Sequence, residues 1–139
     1  MTEALLDASV LIALTDPDHE HHARANAWVV GAARFAVCPI TEGAVIRYHL
    51  RRGATIRVAM RVLSEIRTMP RCEFWPDAVS YLQADLDRLV GHRQVADAYL
   101  ASLTLSHGDA VLATLDKALA SMFPKVAVLL PEGTPEAPG

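Results

Sequence analysis

Val126-Ala127-Val128-Leu129-Leu130 is an unbroken apolar run. A strand with one wet face would alternate polar and apolar residues, and this one does not. It reads as a strand of a parallel sheet covered on both faces by helices. Residues 4–6, Phe35–Val37 and Ala110–Thr114 are short apolar runs of the same kind. Cys72–Trp75 reads as a further short strand before Pro76-Asp77. Helical segments separate these runs, which predicts an α/β fold with a central, mostly parallel β-sheet flanked by α-helices. Ligands of such sheets sit beyond the carboxyl ends of the strands. That rule points to Asp7 and Asp116, each just past a predicted strand.

The helices are predicted over Ala8–Leu14, His19–Val30, from a Thr41 cap to about Arg52, Ala54–Thr68, Val79–Val90, Val95–Ser106 and Lys117–Ser121. Gly53 and Pro70 supply stops. Leu82, Leu86 and Leu89 make one stripe at helical spacing. No internal repeat is present, and 131–139 reads as a loose tail rich in proline and glycine.

The chain has 139 residues, 52% hydrophobic and 21% charged. That composition excludes disorder over most of the length and fits one domain, placed at 1–130. No apolar stretch approaches the ~20 residues needed to span a bilayer. The first residues hold no basic segment followed by an apolar one, so the expected location is the cytoplasm, with no membrane partner. Cys38 and Cys72 read as thiols rather than a disulfide framework.

The net charge of −3 looks wrong for a protein that meets nucleic acid. Its distribution corrects that impression. Seven arginines (Arg47, Arg51, Arg52, Arg57, Arg61, Arg67 and Arg71) stand against Glu65 alone, leaving the rest of the chain strongly acidic. Such a segment is either a solvated face or a contact for phosphates or an acidic partner.

Taken singly, the acids have ordinary explanations. Asp7 and Asp116 fit helix N-caps, and Glu42 fits the positive end of a helix. Asp97 is different: it lies between Ala96 and Ala98 in an apolar helix, where a carboxylate helps nothing unless paired or solvated. Brought together, the four would repel and need a cation to stay ionised. Oxygen ligands alone select hard ions, Mg²⁺ or Mn²⁺ over zinc. Carboxylates holding such ions are machinery for phosphodiester hydrolysis.

The motifs around these acids resemble a known family. Leu5-Leu6-Asp7-Ala8-Ser9-Val10-Leu11-Ile12 is similar to the opening motif of PIN-domain ribonucleases. Cys38-Pro39-Ile40-Thr41-Glu42-Gly43-Ala44 is similar to the second, and Gly91 to Leu100 to the third. His107-Gly108 leading to Ala113-Thr114-Leu115-Asp116 is similar to the fourth. Their order, spacing and total length resemble the VapC toxins of type II toxin–antitoxin systems, over about residues 4–130, and Phe74-Trp75-Pro76-Asp77 fits one subgroup of them.

The resemblance implies a PIN-like fold and a metal-dependent endoribonuclease toxin. Asp7, Glu42, Asp97 and Asp116 would be its catalytic and metal-binding acids, with Asp7 and Asp97 the first choices as direct ligands. Ser9 would orient Asp7 or its water, and Thr114 would stand behind the ligands. The cofactor would be Mg²⁺, with Mn²⁺ able to substitute. RNA would be the substrate, cut to leave 5′-phosphate and 3′-hydroxyl ends. A homodimer and a cognate VapB-type antitoxin would be the partners. One departure stands out: Ala96 occupies a position that is usually Thr in the family.

Rival readings are a phosphoesterase acting on small phosphates and a PIN-like RNA- or protein-binding module that has lost its chemistry. Asp7-Ala8-Ser9 lacks the second acid that a haloacid-dehalogenase-type site requires. The His19-Glu20-His21-His22 cluster lacks zinc-protease spacing and reads as the polar start of a surface helix. Trp28, Trp75 and Tyr99 read as packing residues, and Asp85 and Asp87 as solvated.

Overall fold

The computed structural model describes residues 3–132. Five strands form one sheet: β1 (Glu3–Leu6), β2 (Arg34–Val37), β3 (Cys72–Phe74), β4 (Val111–Thr114) and β5 (Ala127–Leu129). Their order is β3-β2-β1-β4-β5, and every neighbouring pair is parallel. The helices are α1 (Ala8–Thr15), α2 (His22–Gly31), α3 (Pro39–Arg51), α4 (Ile56–Arg67), α5 (Val95–Leu105) and α6 (Lys117–Met122). This is the expected α/β architecture. No helix among the described residues is long and apolar enough to cross a membrane.

Side chains alternate across each strand, so the apolar runs feed two cores at once. Leu5, Ala36 and Leu112 turn to one face and pack with Ala98 and Leu103 of α5 and Leu119 of α6. Ala4, Leu6, Phe35, Val37 and Ala113 turn to the other, against Val10 and Leu11 of α1, Val29 of α2, Val45 of α3 and Ile66 of α4. Leu5 and Leu6 are wholly buried. Truncating either to Ala would cost about 2–5 kcal/mol, because the central strand has no slack to refill the space. The edge strand β5 departs from the reading of strands sealed on both faces. Its Val128 is 38% exposed, since nothing flanks that edge among the described residues.

Several helix ends follow from local chemistry. Asp7, Thr55 and Asp116 cap α1, α4 and α6 through their side chains. Gly53 takes φ +93° after α3, and the N–H groups of Gly53 and Ala54 close back on the carbonyls of Leu50 and His49. That left-handed stop is cheap only for glycine.

Three expectations need correction. The second helix begins at His22, not His19. Asp16 Oδ1 accepts from Asp18 N and His19 Nδ1 accepts from His21 N, so local side-chain bonds hold that stretch in a turn. α3 begins at Pro39 rather than after a Thr41 cap, because proline is preorganised for the first helical position. The Thr41 hydroxyl instead accepts from Cys38 N at 3.1 Å.

Val79–Val90 is not a helix. It holds one 3₁₀ turn, Tyr81–Gln83, in otherwise irregular chain. Ser80 and Gln83 bond reciprocally there, and Asp85 Oδ1 takes the N–H of Asp87. Leu82 is 98% exposed, so the leucine stripe finds no common surface to bury. A helix without such a surface gains too little from its propensity alone. Leu86 and Leu89 still pack at the edge of the α5 core.

Trp75 and Tyr99 are core residues as expected, while Asp85 and Asp87 are exposed. Both cysteines are free thiols, Cys38 buried and Cys72 half-buried. Of the tail expected over 131–139, the part from residue 133 onward lies outside the described residues.

Candidate active site

The chain steps outward from β1 to β2 to β3, then returns to lay β4 on the other side of β1. The strand order therefore reverses between β1 and β4, where open α/β sheets form their crevice. Asp7 leaves β1 and Asp116 follows β4 at that point. α5 packs across β1 and β4 and brings Asp97, in its first turn, to the same place.

Asp7 is 3% exposed and held by hydrogen bonds on both oxygens. Ser9 Oγ donates to Oδ1 at 2.6 Å and Val10 N donates to the same atom at 3.0 Å. The Thr114 hydroxyl donates to Oδ2. Both hydroxyls also receive: Ser9 Oγ from Leu115 N at 3.0 Å, and Thr114 Oγ1 from Asp116 N at 2.9 Å. Ser9 and Thr114 thus tie the exit of β4 to the exit of β1 and fix Asp7 between them. A carboxylate offers about four lone-pair positions, and three of Asp7's are taken.

Asp116 caps α6, its Oδ1 accepting from Ala118 N at 2.8 Å and Leu119 N at 3.3 Å. Among the described residues its Oδ2 accepts nothing. The Asp97 carboxyl makes no hydrogen bond at all among them, and none of the three aspartates has a basic partner. Burial pushes Asp7 up from the usual carboxylate range, against the hydrogen bonds from Ser9, Thr114 and Val10. Burial, and then the charges of Asp7 and Asp116, push Asp97 up to about 6. The three acids feel one another, and nothing among the described residues neutralises them.

Glu42 is placed differently. It lies in the first turn of α3, with Oε2 3.5 Å from Arg67 Nη1 of α4. The same guanidinium lies 4.6 Å above the ring of Phe74. So the structure groups Asp7, Asp97 and Asp116, while Glu42 faces an arginine of its own chain. Ala96 is exposed beside Asp97.

As they stand, no three His, Cys, Asp or Glu side chains among the described residues form a cage for a metal ion. The donor chemistry nevertheless fits a hard divalent cation. The three acids offer only oxygen, keep free lone pairs on each residue and lack a basic partner among the described residues, and burial penalises the charge on Asp7 and Asp97.

A cleft of about 180 Å³ opens beside them, lined by Arg93, Gln94, Asp97, Asp116, Leu119 and Met122 among others. Sequence reasoning gave Arg93 and Gln94 no role. The available signal was their spacing: they stand one helical turn before Asp97, on the 3₁₀ turn that leads into α5.

The seven arginines divide into two sets, all of them exposed. Arg52 reaches Asp16, Arg67 reaches Glu42, and Arg71 donates to the carbonyls of Val30 and Ala32. Arg47, Arg51, Arg57 and Arg61 form no ion pair among the described residues.

Comparison with known proteins agrees with this geometry. The PIN domain family model matches residues 4–127. The ribonuclease VapC29 of Mycobacterium tuberculosis is 47% identical over 131 residues, covering 94% of this chain and 98% of its own. Among solved structures, M. tuberculosis VapC20, described as a sarcin–ricin-loop-cleaving toxin, superposes with a TM-score of 0.67 at 17% identity. That match covers 85% of this chain and 93% of the other. VapBC2 of Rickettsia felis, solved with a DNA fragment from its promoter, gives a TM-score of 0.65 at 12% identity, covering 92% and 98%.

Proposed function

The chain belongs to the PIN-domain family, and within it to the VapC ribonucleases, and from that premise we propose that it is the endoribonuclease toxin of a toxin–antitoxin system. On this reading it hydrolyses RNA phosphodiester bonds with a divalent cation, Mg²⁺ or Mn²⁺, bound by its acids. The observation that carries the reading is the meeting of Asp7, Asp97 and Asp116 at the β1–β4 crevice without a basic partner. Residues 1–130 form the catalytic domain, and 131–139 lie outside it.

Asp7, Asp97 and Asp116 would hold the cation. Asp7 is the fixed member, since Ser9 and Thr114 permit its carboxylate little movement. Asp97 is the free one, with no hydrogen bond to give up. Asp116 keeps Oδ2 for the site while Oδ1 caps α6. Glu42 would join as a fourth acid on leaving Arg67, at the loss of a partly buried ion pair. When bound, a divalent cation supplies water activation and neutralises charge on the phosphate.

The partners on this reading are RNA, a VapB-type antitoxin and a second copy of the chain, in the cytoplasm. The structural likeness to a VapBC protein supports the antitoxin. Exposed Ile56, Val58 and Met60 on α4 offer apolar surface for a protein partner. The unengaged arginines offer charge for RNA.

The test is cleavage of total RNA by the purified, partner-free protein with Mg²⁺, Mn²⁺ or chelator, beside Asp7→Asn. Discrete fragments with 5′-phosphate ends are expected with metal, and none with chelator or the variant. A folded protein that cuts nothing in either metal would show the reading to be wrong.

A further inference from the structure

The cleft beside the acids is lined by two elements. The 3₁₀ turn and the start of α5 supply Arg93, Gln94 and Asp97, and α6 with its cap supplies Asp116 and the apolar residues. Arg93 shares the cleft with two carboxylates, yet among the described residues it forms no ion pair and no hydrogen bond. Gln94 is oriented by its own loop. Its Oε1 accepts from Val90 N at 2.8 Å, which leaves both amide hydrogens free to donate. The remaining lining is apolar: Ala118, Leu119 and Met122. At about 180 Å³ the cleft is smaller than the ~300–1,000 Å³ of small-molecule pockets. It suits part of a chain passing through rather than an enclosed ligand.

An arginine held beside unneutralised acids, without pairing to them, leaves its guanidinium available to an anion. A phosphodiester supplies the anion that Arg93 and Gln94 lack. Its non-bridging oxygens suit the Arg93 fork and the Gln94 amide, and its sugar suits the apolar floor. We propose that Arg93, supported by the Gln94 amide, positions a backbone phosphate of the RNA against Asp97 and Asp116. This rests on the ribonuclease reading and gives it a positioning residue that acts through substrate rather than through the acids. The 3₁₀ turn carrying Arg93 runs directly into α5, so its distance from Asp97 is set by a rigid element.

The experiment compares the partner-free full chain with Arg93→Ala and Arg93→Lys. Arg93 is exposed and bonded to nothing among the described residues, so all three should melt alike. Binding of a short single-stranded RNA is measured in chelator across a salt series, and cleavage with metal gives kcat and KM. Arg93→Ala should lower the slope of log affinity against log salt by about 0.7, the value for one contact to single-stranded RNA. It should lower kcat/KM about ten- to a hundredfold. Arg93→Lys should restore the slope but only part of the rate, because an ammonium cannot reproduce the fork. A cleaving wild type whose Arg93→Ala variant keeps both slope and kcat/KM would overturn the proposal and leave the ribonuclease reading standing. A wild type that neither binds nor cuts RNA would overturn both.

Discussion

Asp97→Asn should make the metal-free protein more stable while abolishing cleavage. Burial and two like charges raise this carboxyl from 3.8 to about 6. At about 1.4 kcal/mol per tenfold change in proton affinity, the gap is worth about 3 kcal/mol at most. Asp97 borders an open cleft, and solvent screening reduces this to about 1.5 kcal/mol. The sign follows from linkage. Below about pH 4 the group is neutral in folded and unfolded chains alike and costs nothing. Between pH 4 and 6 the folded state holds the proton more tightly, so stability falls as pH rises. Above pH 6 the full penalty applies. Urea unfolding in chelator at pH 8 should therefore favour Asp97→Asn by about 1.5 kcal/mol, or about 3–5 °C in melting temperature for a domain of this size. The advantage should vanish near pH 4. Adding Mg²⁺ or Mn²⁺ at pH 8 should stabilise the wild type and narrow the gap, since the cation binds only the folded acid cluster. A variant no more stable than wild type in chelator at pH 8, or one with the same advantage at pH 4, would refute the reasoning.

Three further outcomes follow from the same geometry. Thr114→Val removes the donor to Asp7 and the acceptor for Asp116 N, so urea unfolding should show a loss of about 1–3 kcal/mol, because a buried carboxylate loses a bond it cannot replace with water. Asp116→Ala should unfold about 1 kcal/mol more easily than Asp116→Asn, which keeps the α6 cap, whereas both should fail in the RNA cleavage assay; equal stabilities would contradict the capping role. Leu82→Ser should move the melting curve by no more than about 0.5 kcal/mol, because its side chain is almost fully solvated. A loss of several kcal/mol there would mean that the leucine stripe is buried after all.

The fold was legible where one physical rule acted alone. Short apolar strands separated by helices left few alternatives to a covered parallel sheet, and the glycine stop at Gly53 was readable for the same reason. Legibility failed where two local rules competed. Over Val79–Val90 the leucine spacing favoured a helix, while Ser80, Gln83 and Asp85 offered the backbone side-chain partners in a turn. Periodicity reports only which residues would share a face. It does not report whether the rest of the molecule brings a surface to that face, and Leu82 shows that here it does not. At Cys38 and Thr41 the competition was between Pro39 as a strand stop and Pro39 as a helix start. One residue performs both functions, so the helix opens three positions earlier than a Thr41 cap would place it.

The site divides along the same line. Asp7 and Asp116 were readable because the ends of β1 and β4 fixed their place once the sheet was inferred. Asp97 was readable because a lone carboxylate among alanines needed a reason. What composition could not supply was the difference between neighbouring charges that pair and charges that do not. Glu42 and Arg67 lie in segments of opposite sign, and they meet. Arg93 shares a cleft with two acids, and among the described residues it does not pair. The contrast has a physical consequence. The Glu42–Arg67 pair joins a half-buried carboxylate to an exposed guanidinium, so Glu42 carries its charge beside a cation. The aspartates have no basic partner among the described residues, so their mutual repulsion is eased only by hydrogen bonds such as those from Ser9, Thr114 and Val10 to Asp7. Replacing Asp97, which makes no hydrogen bond among the described residues, relieves that repulsion without losing a bond, whereas Asp7 and Asp116 give up hydrogen bonds when truncated. Holding all three in one crevice carries an electrostatic cost, and on the ribonuclease reading a bound divalent cation would turn that cost into affinity.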